Sequence, residues 1–88
     1  MEDRIRLKIV TPSGTVLEKS VGYVRLPTPE GSVGVLPGHA PMLCAVGRGS
    51  LLCRFAGERE ERVRLSGGVA SVENDLLTVL ADEAEPEE

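Results

Sequence analysis

One histidine, two cysteines and a serine beside paired glycines are the residues of this 88-residue chain that could do chemistry. His39 could serve as a general base, a metal ligand or an interface contact. Cys44, five residues on, could act with it as a nucleophile. Nucleophilic catalysis also needs a third group to orient the base, and none suggests itself here. A metal centre needs three or four convergent ligands, and no His/Cys/Asp cluster has ligand spacing. Ser66-Gly67-Gly68 lacks the strand, turn and helix of a nucleophile elbow, and lacks a glycine on the Ser's other flank. Gly31-Ser32-Val33-Gly34 precedes no helix and carries no Gly-Lys-Ser/Thr, so neither phosphate-cradling fingerprint is met. The expectation is a non-catalytic protein with no metal site and no cofactor. An enzyme using His39 and Cys44 is the rival, and it requires a thiol that reacts at neutral pH.

The same region carries the strongest backbone specification. From Pro29 to Pro41 (PEGSVGVLPGHAP), three glycines and three prolines frame a short apolar run. Gly permits positive φ and close backbone approach, whereas Pro fixes φ and removes a donor. The combination defines a path of turn, short strand and turn. A chain this small that specifies one place so fully is expected to present it to a partner, with His39 exposed at the corner.

What must position that corner is a small aliphatic body. A single domain of this length buries roughly 60–65% of its unfolded surface. With one Tyr, one Phe and no Trp, its core must come from Val, Leu and Ile. Aromatic stacking platforms for single-stranded nucleic acid are excluded on the same count. The net charge of −4 is uneven: residues 81–88 hold five acids, Asp82, Glu83, Glu85, Glu87 and Glu88, and no base. The remainder has ten basic and nine acidic residues, with no basic stripe for a phosphate backbone. Cys44 and Cys53 lie in apolar runs and read as reduced, buried thiols. No apolar run approaches the ~20 residues that span a bilayer, and Met1-Glu2-Asp3 is unlike a targeting segment.

The dominant hydrophobic period is two. Arg4-Ile5-Arg6-Leu7-Lys8-Ile9 alternates strictly, with Ile5, Leu7 and Ile9 inward. Turn chemistry follows at residues 11–15. Short strands are expected at 16–18, 21–26, 32–36 and 41–46, then at 50–55 with Leu51, Cys53 and Phe55 on one face and Leu52 and Arg54 on the other. Ala56-Gly57-Glu58 turns the chain back into 59–65, whose charges face solvent. Ser66-Gly67-Gly68 reads as a tight corner, and Asn74-Asp75 as the turn joining 69–73 to 76–80. About nine short strands with a turn every 6–12 residues indicate an antiparallel sandwich or barrel. No helix is expected. The chain divides into a β domain, 1–81, and a short, frayed acidic tail, 82–88, interrupted by Pro86.

Four blocks, in order, resemble a known family: Leu7-Lys8-Ile9-Val10-Thr11-Pro12-Ser13-Gly14; Glu30 to Leu43; Leu65-Ser66-Gly67-Gly68-Val69; and Leu77 to Glu85. Together they cover nearly the whole chain and are similar to the epsilon subunit of F-type ATP synthase. The resemblance implies an all-β, antiparallel sandwich of about ten short strands. It implies a rotor subunit of the central stalk that joins the gamma subunit to the ring of c subunits and couples proton flow to ATP synthesis. Such a subunit is non-catalytic and associates with the rest of F1 (alpha, beta and delta). It meets the membrane only through the complex, at the cytoplasmic face of the bacterial inner membrane or an equivalent energy-coupling membrane.

The resemblance also assigns contacts. The c-ring contact falls on Glu30, Gly31, Ser32 and Val33; Ser32 stands where the family usually has an acid, which weakens one polar contact. Gamma contacts fall on Thr11, His39, Pro41, Met42 and Leu43. Val33, Leu36, Pro41, Met42 and Leu43 would be the apolar anchors, with Glu30 and His39 at the rim. Family members commonly continue into a C-terminal helical hairpin that inhibits ATP hydrolysis; this sequence stops at Glu88, so no helical domain and no hairpin inhibition are expected. The other rival is a generic β-sandwich interaction module that binds a peptide along an edge strand.

Overall fold

The structure, a computed structural model, describes residues 4–55 and 59–87. The acidic start and the turn at 56–58 lie outside these residues. Eight strands form among those described: β1 (Ile5–Thr11), β2 (Gly14–Val21), β3 (Tyr23–Thr28), β4 (Gly31–Val35), β5 (Met42–Ala45), β6 (Arg48–Arg54), β7 (Glu60–Glu73) and β8 (Leu76–Glu87). No described residue is helical, as the period of two requires.

Eight strands rather than nine or ten arise because β7 and β8 are long and bend together. The first part of β7 pairs with β6, Arg54 opposite Glu60 through Arg48 opposite Ser66. Its last part pairs with β5, Ala45 opposite Val69 through Met42 opposite Val72. β8 follows β7 from Glu73/Leu76 to Arg62/Glu87. One layer is therefore β2-β1-β8-β7-β5 and the other β8-β7-β6-β3-β4, with β7 and β8 shared. Counted layer by layer there are ten strand segments, five in each sheet. Shared strands that switch sheets are how such corners are made. Ser66-Gly67-Gly68, expected to separate two strands, is the bend inside one. Gly67 and Gly68 have φ of +75° and +128°. A Cβ on Gly68 would fall 2.1 Å from the Leu80 carbonyl oxygen and 2.8 Å from the Ala81 Cα. Two strands cross at this corner too closely for any side chain.

The stretch read as a frayed tail, residues 82–87, is the second half of β8 and is paired with β7 from Glu83 to Glu87. Cross-strand charge explains the difference: Glu87 lies opposite Arg62 and Glu85 opposite Arg64, and opposite charges in register stabilise a ladder. The single run expected at 21–26 is broken at Gly22, whose N–H donates to the Arg54 carbonyl at 2.9 Å as the chain passes between layers. One pairing is parallel: β1 runs beside β8, Arg6 at Leu76 through Val10 at Leu80.

Inward-facing aliphatics from both layers make the core: Ile5, Leu7, Ile9, Val24, Leu26, Leu51, Val63, Leu65, Leu77 and Val79 are 0–1% exposed. Cys53 lies fully buried among them. Leu52, on the other face of β6 with Arg54, is nonetheless only 5% exposed. It is flanked in register by Arg25 and Arg62, and long basic side chains can cover such a residue with their stems. At the end remote from the corner, Phe55 lies between the Lys19 ammonium and the Arg59 guanidinium, 5.3 and 5.0 Å from its ring centre. Glu61 ion-pairs with both, so β2 of one layer is tied to β7 of the other.

Candidate functional site

The two expected contact regions sit on turns that the sequence builds with matching chemistry. Thr11-Pro12-Ser13-Gly14 closes the β1–β2 hairpin and Thr28-Pro29-Glu30-Gly31 the β3–β4 hairpin. In each, the Thr hydroxyl donates to the Gly carbonyl, at 3.4 and 2.6 Å, and accepts the N–H of the residue before the Gly, at 3.2 and 3.3 Å. Pro presets the turn, and both closing glycines have φ of +129°, a conformation side chains rarely adopt. The second glycine of the apolar run has a different job. Gly34 lies under the Tyr23 ring, where a Cβ would come within 3.3 Å. Arg54 stacks on the same ring at 5.2 Å and ion-pairs with Glu60 at 3.0 Å. The Gly-x-x-Gly spacing thus serves a turn and an aromatic contact.

Of the residues expected at the c-ring contact, Glu30, Gly31 and Ser32 are exposed at the β3–β4 tip and Val33 is half-buried against the core, opposite Leu26. They form one continuous projection. The expected gamma contacts do not form one cluster. His39 and Pro41 lie in the connector between β4 and β5, which is pinned to the β7–β8 turn: the Gly38 N–H donates to Asp75 Oδ1 at 2.7 Å. The Arg6 N–H donates to the Asp75 carbonyl, marking the start of β1 at the same end. Thr11 is five residues further along β1, about 17 Å away at ~3.3 Å per residue. Met42 and Leu43 point to opposite faces. Met42 is half-buried against the core, opposite Val72, whereas Leu43 is 75% exposed.

What joins the two ends is the outer face of the first layer. Val10 on β1, Leu80 on β8, Val69 on β7 and Ala45 on β5 stand in one cross-strand row. Leu80 is 54% and Val69 44% exposed. Leu43 stands in the next row with Ser71, Thr78 and Lys8. Leu76 beyond it is 41% exposed. Of these outward residues only Leu43 was singled out from sequence, although a signal for the others on β8 existed. Leu76-Leu77-Thr78-Val79-Leu80 is nearly continuous in apolar residues, the mark of a strand covered on both faces. In this chain only Leu77 and Val79 find cover.

The catalytic rival fares poorly on chemistry. Cys44 faces inward opposite Ala70, and burial pushes its thiol pKa up. Cys53 is raised by burial first and by the Glu61 charge second. A reactive thiol needs the reverse shift. His39 donates its Nδ1–H to the neighbouring Ala40 carbonyl at 2.7 Å, a local turn contact.

Comparison with known proteins gives a consistent pattern. Residues 4–87 match a family model described as ATP synthase, Delta/Epsilon chain, beta-sandwich domain. The ATP synthase epsilon chain of Nitratidesulfovibrio vulgaris (strain DSM 19637 / Miyazaki F) is 45% identical over 85 residues, covering 97% of this chain and 63% of that one. The epsilon chain of Desulfitobacterium hafniense (strain DSM 10664 / DCB-2) is 36% identical over 88 residues, covering all of this chain and 66% of that one. The chain thus spans a little under two thirds of the length of these relatives. A chain in the cryo-EM structure of the Euglena gracilis mitochondrial ATP synthase OSCP/F1/c-ring superimposes with a TM-score of 0.90 at 26% identity, over 98% of this chain and 55% of that one. A chain from the Tetrahymena thermophila mitochondrial ATP synthase central stalk/c-ring shares the fold, with a TM-score of 0.75 at 17% identity over 91% of this chain and 64% of that one.

Proposed function

The chain belongs to the ATP synthase delta/epsilon-chain β-sandwich family, and from that premise we propose that it is a non-catalytic rotor subunit of the central stalk, held between the gamma subunit and the c-ring. In this reading it couples ion flow through the ring to ATP synthesis by transmitting torque, and it does no bond-making itself. It reaches the energy-coupling membrane, at its cytoplasmic face, only through the assembled complex.

One observation carries the proposal: the apolar row Val10, Leu80, Val69, Ala45, with Leu43 and Leu76 beside it, runs across the outer face of the first layer, and its leucines and Val69 stand exposed. A surface of this kind is built to be covered. Gamma is its proposed occupant, because the row joins Thr11 to the His39–Leu43 region. The c-ring takes the β3–β4 tip, where Glu30 is the acid available to basic ring loops. A stable attachment is expected to bury on the order of 1,600 Å² in total.

The structure suits a torque-bearing part. Its core is close-packed aliphatic side chains with low compressibility. Its two layers are bound covalently through β7 and β8, and by the Lys19–Glu61–Arg59 ion pairs at the opposite end. The decisive experiment is reconstitution of the 88-residue chain with gamma and with c-ring separately and together. Co-purification with gamma, strengthened in the presence of the ring, is the expected result. Loss of both interactions would refute the rotor reading.

A further inference from the structure

The slot between the β1–β2 hairpin and the second half of β8 shares only Thr11 with the docking contacts described above. β1 accompanies β8 only as far as Val10 beside Leu80, then turns away into β2. β8 continues to Glu87 with β7 on one side alone. Among the described residues, the other edge of Ala81–Glu87 faces no strand. The space left there is about 560 Å³. Its walls include Pro12, Val16, Leu65, Asp82, Ala84 and Glu85. Val16 has no cross-strand partner, because the register slips between Ile9 and Val10. It is half-buried and packs on the core, as Ala84 does.

An unpaired strand edge is a template for another extended chain unless something guards it. The guard here is acidic on balance: Asp82, Glu83 and Glu85 line the slot with one base, Arg64, which is already ion-paired with Glu87 at 3.8 Å. β8 side chains alternate, with Ala84 and Pro86 in register with the buried Leu65 and Val63, and Glu83, Glu85 and Glu87 in register with Ser66, Arg64 and Arg62 on the outer face. Asp82 adds another acid at the slot. Pro86, the residue that would block pairing outright, lies near the far end. Such an edge repels a copy of itself and admits a strand of opposite charge.

We propose that the β8 edge from Ala81 to Glu87 is a strand-addition site for an extended basic segment of a partner protein. The segment carries Lys or Arg at alternate positions beside Glu83 and Glu85, and small apolar residues between them against Val16 and Ala84. Main-chain hydrogen bonds supply the hold, and the alternation fixes the register. The site shares only Thr11 with the contacts assigned to gamma and nothing with the β3–β4 tip, and binding of a free peptide to it stands or falls independently of the rotor reading.

The test is a titration of the isotopically labelled 88-residue chain with a blocked eight-residue peptide of alternating lysine and valine, followed by backbone amide NMR. Two control peptides are used, one with the same composition in blocks and one with glutamate in place of lysine. Saturable shifts confined to residues 11–16 and 80–87 are expected, with neither control binding comparably. Raising salt from 0.05 to 0.5 M should weaken binding about tenfold, since exposed charge pairs are screened. The double variant Glu83→Lys/Glu85→Lys should weaken it at least tenfold. Glu85→Gln, which spares the fold from new positive charge beside Arg64, should weaken it roughly threefold. The proposal is overturned by absence of saturable shifts, by equal binding of either control, by shifts centred elsewhere, or by undiminished affinity in Glu85→Gln.

Discussion

Replacing Leu43 by Glu should release the chain from gamma while leaving its fold intact. Leu43 retains 75% of its exposure in the free chain. Full burial of a leucine is worth about 1.5–3 kcal/mol, so the part still available for a partner is roughly 1–2 kcal/mol by the same scale. Leu43→Ala forfeits about that amount, a five- to thirtyfold loss of affinity. Leu43→Glu adds the cost of desolvating an unpaired carboxylate at an apolar contact, which brings the total to about 3–5 kcal/mol. That corresponds to a loss of about two to three and a half orders of magnitude. An exposed side chain away from caps and cores changes stability by only about 0.5 kcal/mol, so the melting temperature should barely move.

Met42, its neighbour, makes the contrast. Met42 is half-buried on the core side of the same strand. A charge there attacks the sandwich itself, and Met42→Glu should lower the melting temperature by ten degrees or more, since about 1 kcal/mol is worth 4–8 °C at this size. The assay pairs circular-dichroism melts with calorimetric titration of gamma. Unchanged gamma affinity in folded Leu43→Glu would falsify the outer-face assignment. A melting temperature depressed as far as that of Met42→Glu would show instead that Leu43, not Met42, faces the core.

Three further outcomes follow from the geometry. Gly68→Ala places a methyl against the Leu80 carbonyl in a left-handed backbone, whereas Gly14→Ala meets nothing within 4 Å at nearly the same φ. Backbone strain of ~1 kcal/mol is common to both, but overpacking adds about 1–3 kcal/mol at Gly68 alone, and urea melts that fail to separate the two variants would sink the corner argument. Thr28→Val removes the hydroxyl that braces the β3–β4 tip and should lower stability by about 1 kcal/mol, with c-ring binding weakened in parallel; equal ring affinity would detach that tip from the ring. Both thiols have raised pKa values through burial, so a disulfide reagent at neutral pH should modify Cys53 only after denaturant is added. Because the fold favours the neutral thiols, their contribution to stability is complete below the ordinary value of 9.0 and declines as pH rises past it toward the raised native values. A melting temperature flat from pH 8 to 10.5 in a variant otherwise resistant to alkali would contradict this.

Alternation made much of the body legible. Ile5, Leu7 and Ile9 are inward, Val63 and Leu65 are inward, and Asn74-Asp75 forms a hairpin turn with both φ positive, at 52° and 60°. Local chemistry failed where an outcome depends on crossing distance. Nothing in Ser66-Gly67-Gly68 distinguishes a turn between strands from a bend within one, because the difference lies in Leu80 and Ala81, which the fold brings beneath it. The acidic end looked frayed because its partners, Arg62 and Arg64, are more than twenty residues away in sequence. The Pro- and Gly-framed corner attracted attention through its composition. The outer apolar row did not, because each of its members comes from a different strand and no window of sequence contains more than two of them.

That distribution bears on how such a part can work. A docking surface gathered from β1, β5, β7 and β8 exists only when all four are in register, so partner binding and folding are coupled. A one-residue slip of β8 would turn Leu80 inward and expose Val79. The parallel pairing of β1 with β8 and the antiparallel pairing of β8 with β7 hold that register from both sides. Force applied at the β3–β4 tip enters the second layer, and the proposed gamma face belongs to the first. The continuous backbones of β7 and β8 are the strands that carry from one layer into the other, and both bend where Gly67-Gly68 meets Ala81. A rotor part that loosened there would keep both contacts and lose the torque between them. Weakened coupling with intact assembly is therefore the phenotype that a mild corner substitution, such as Gly67→Ala beside the flexible Asp82 carboxylate, should produce.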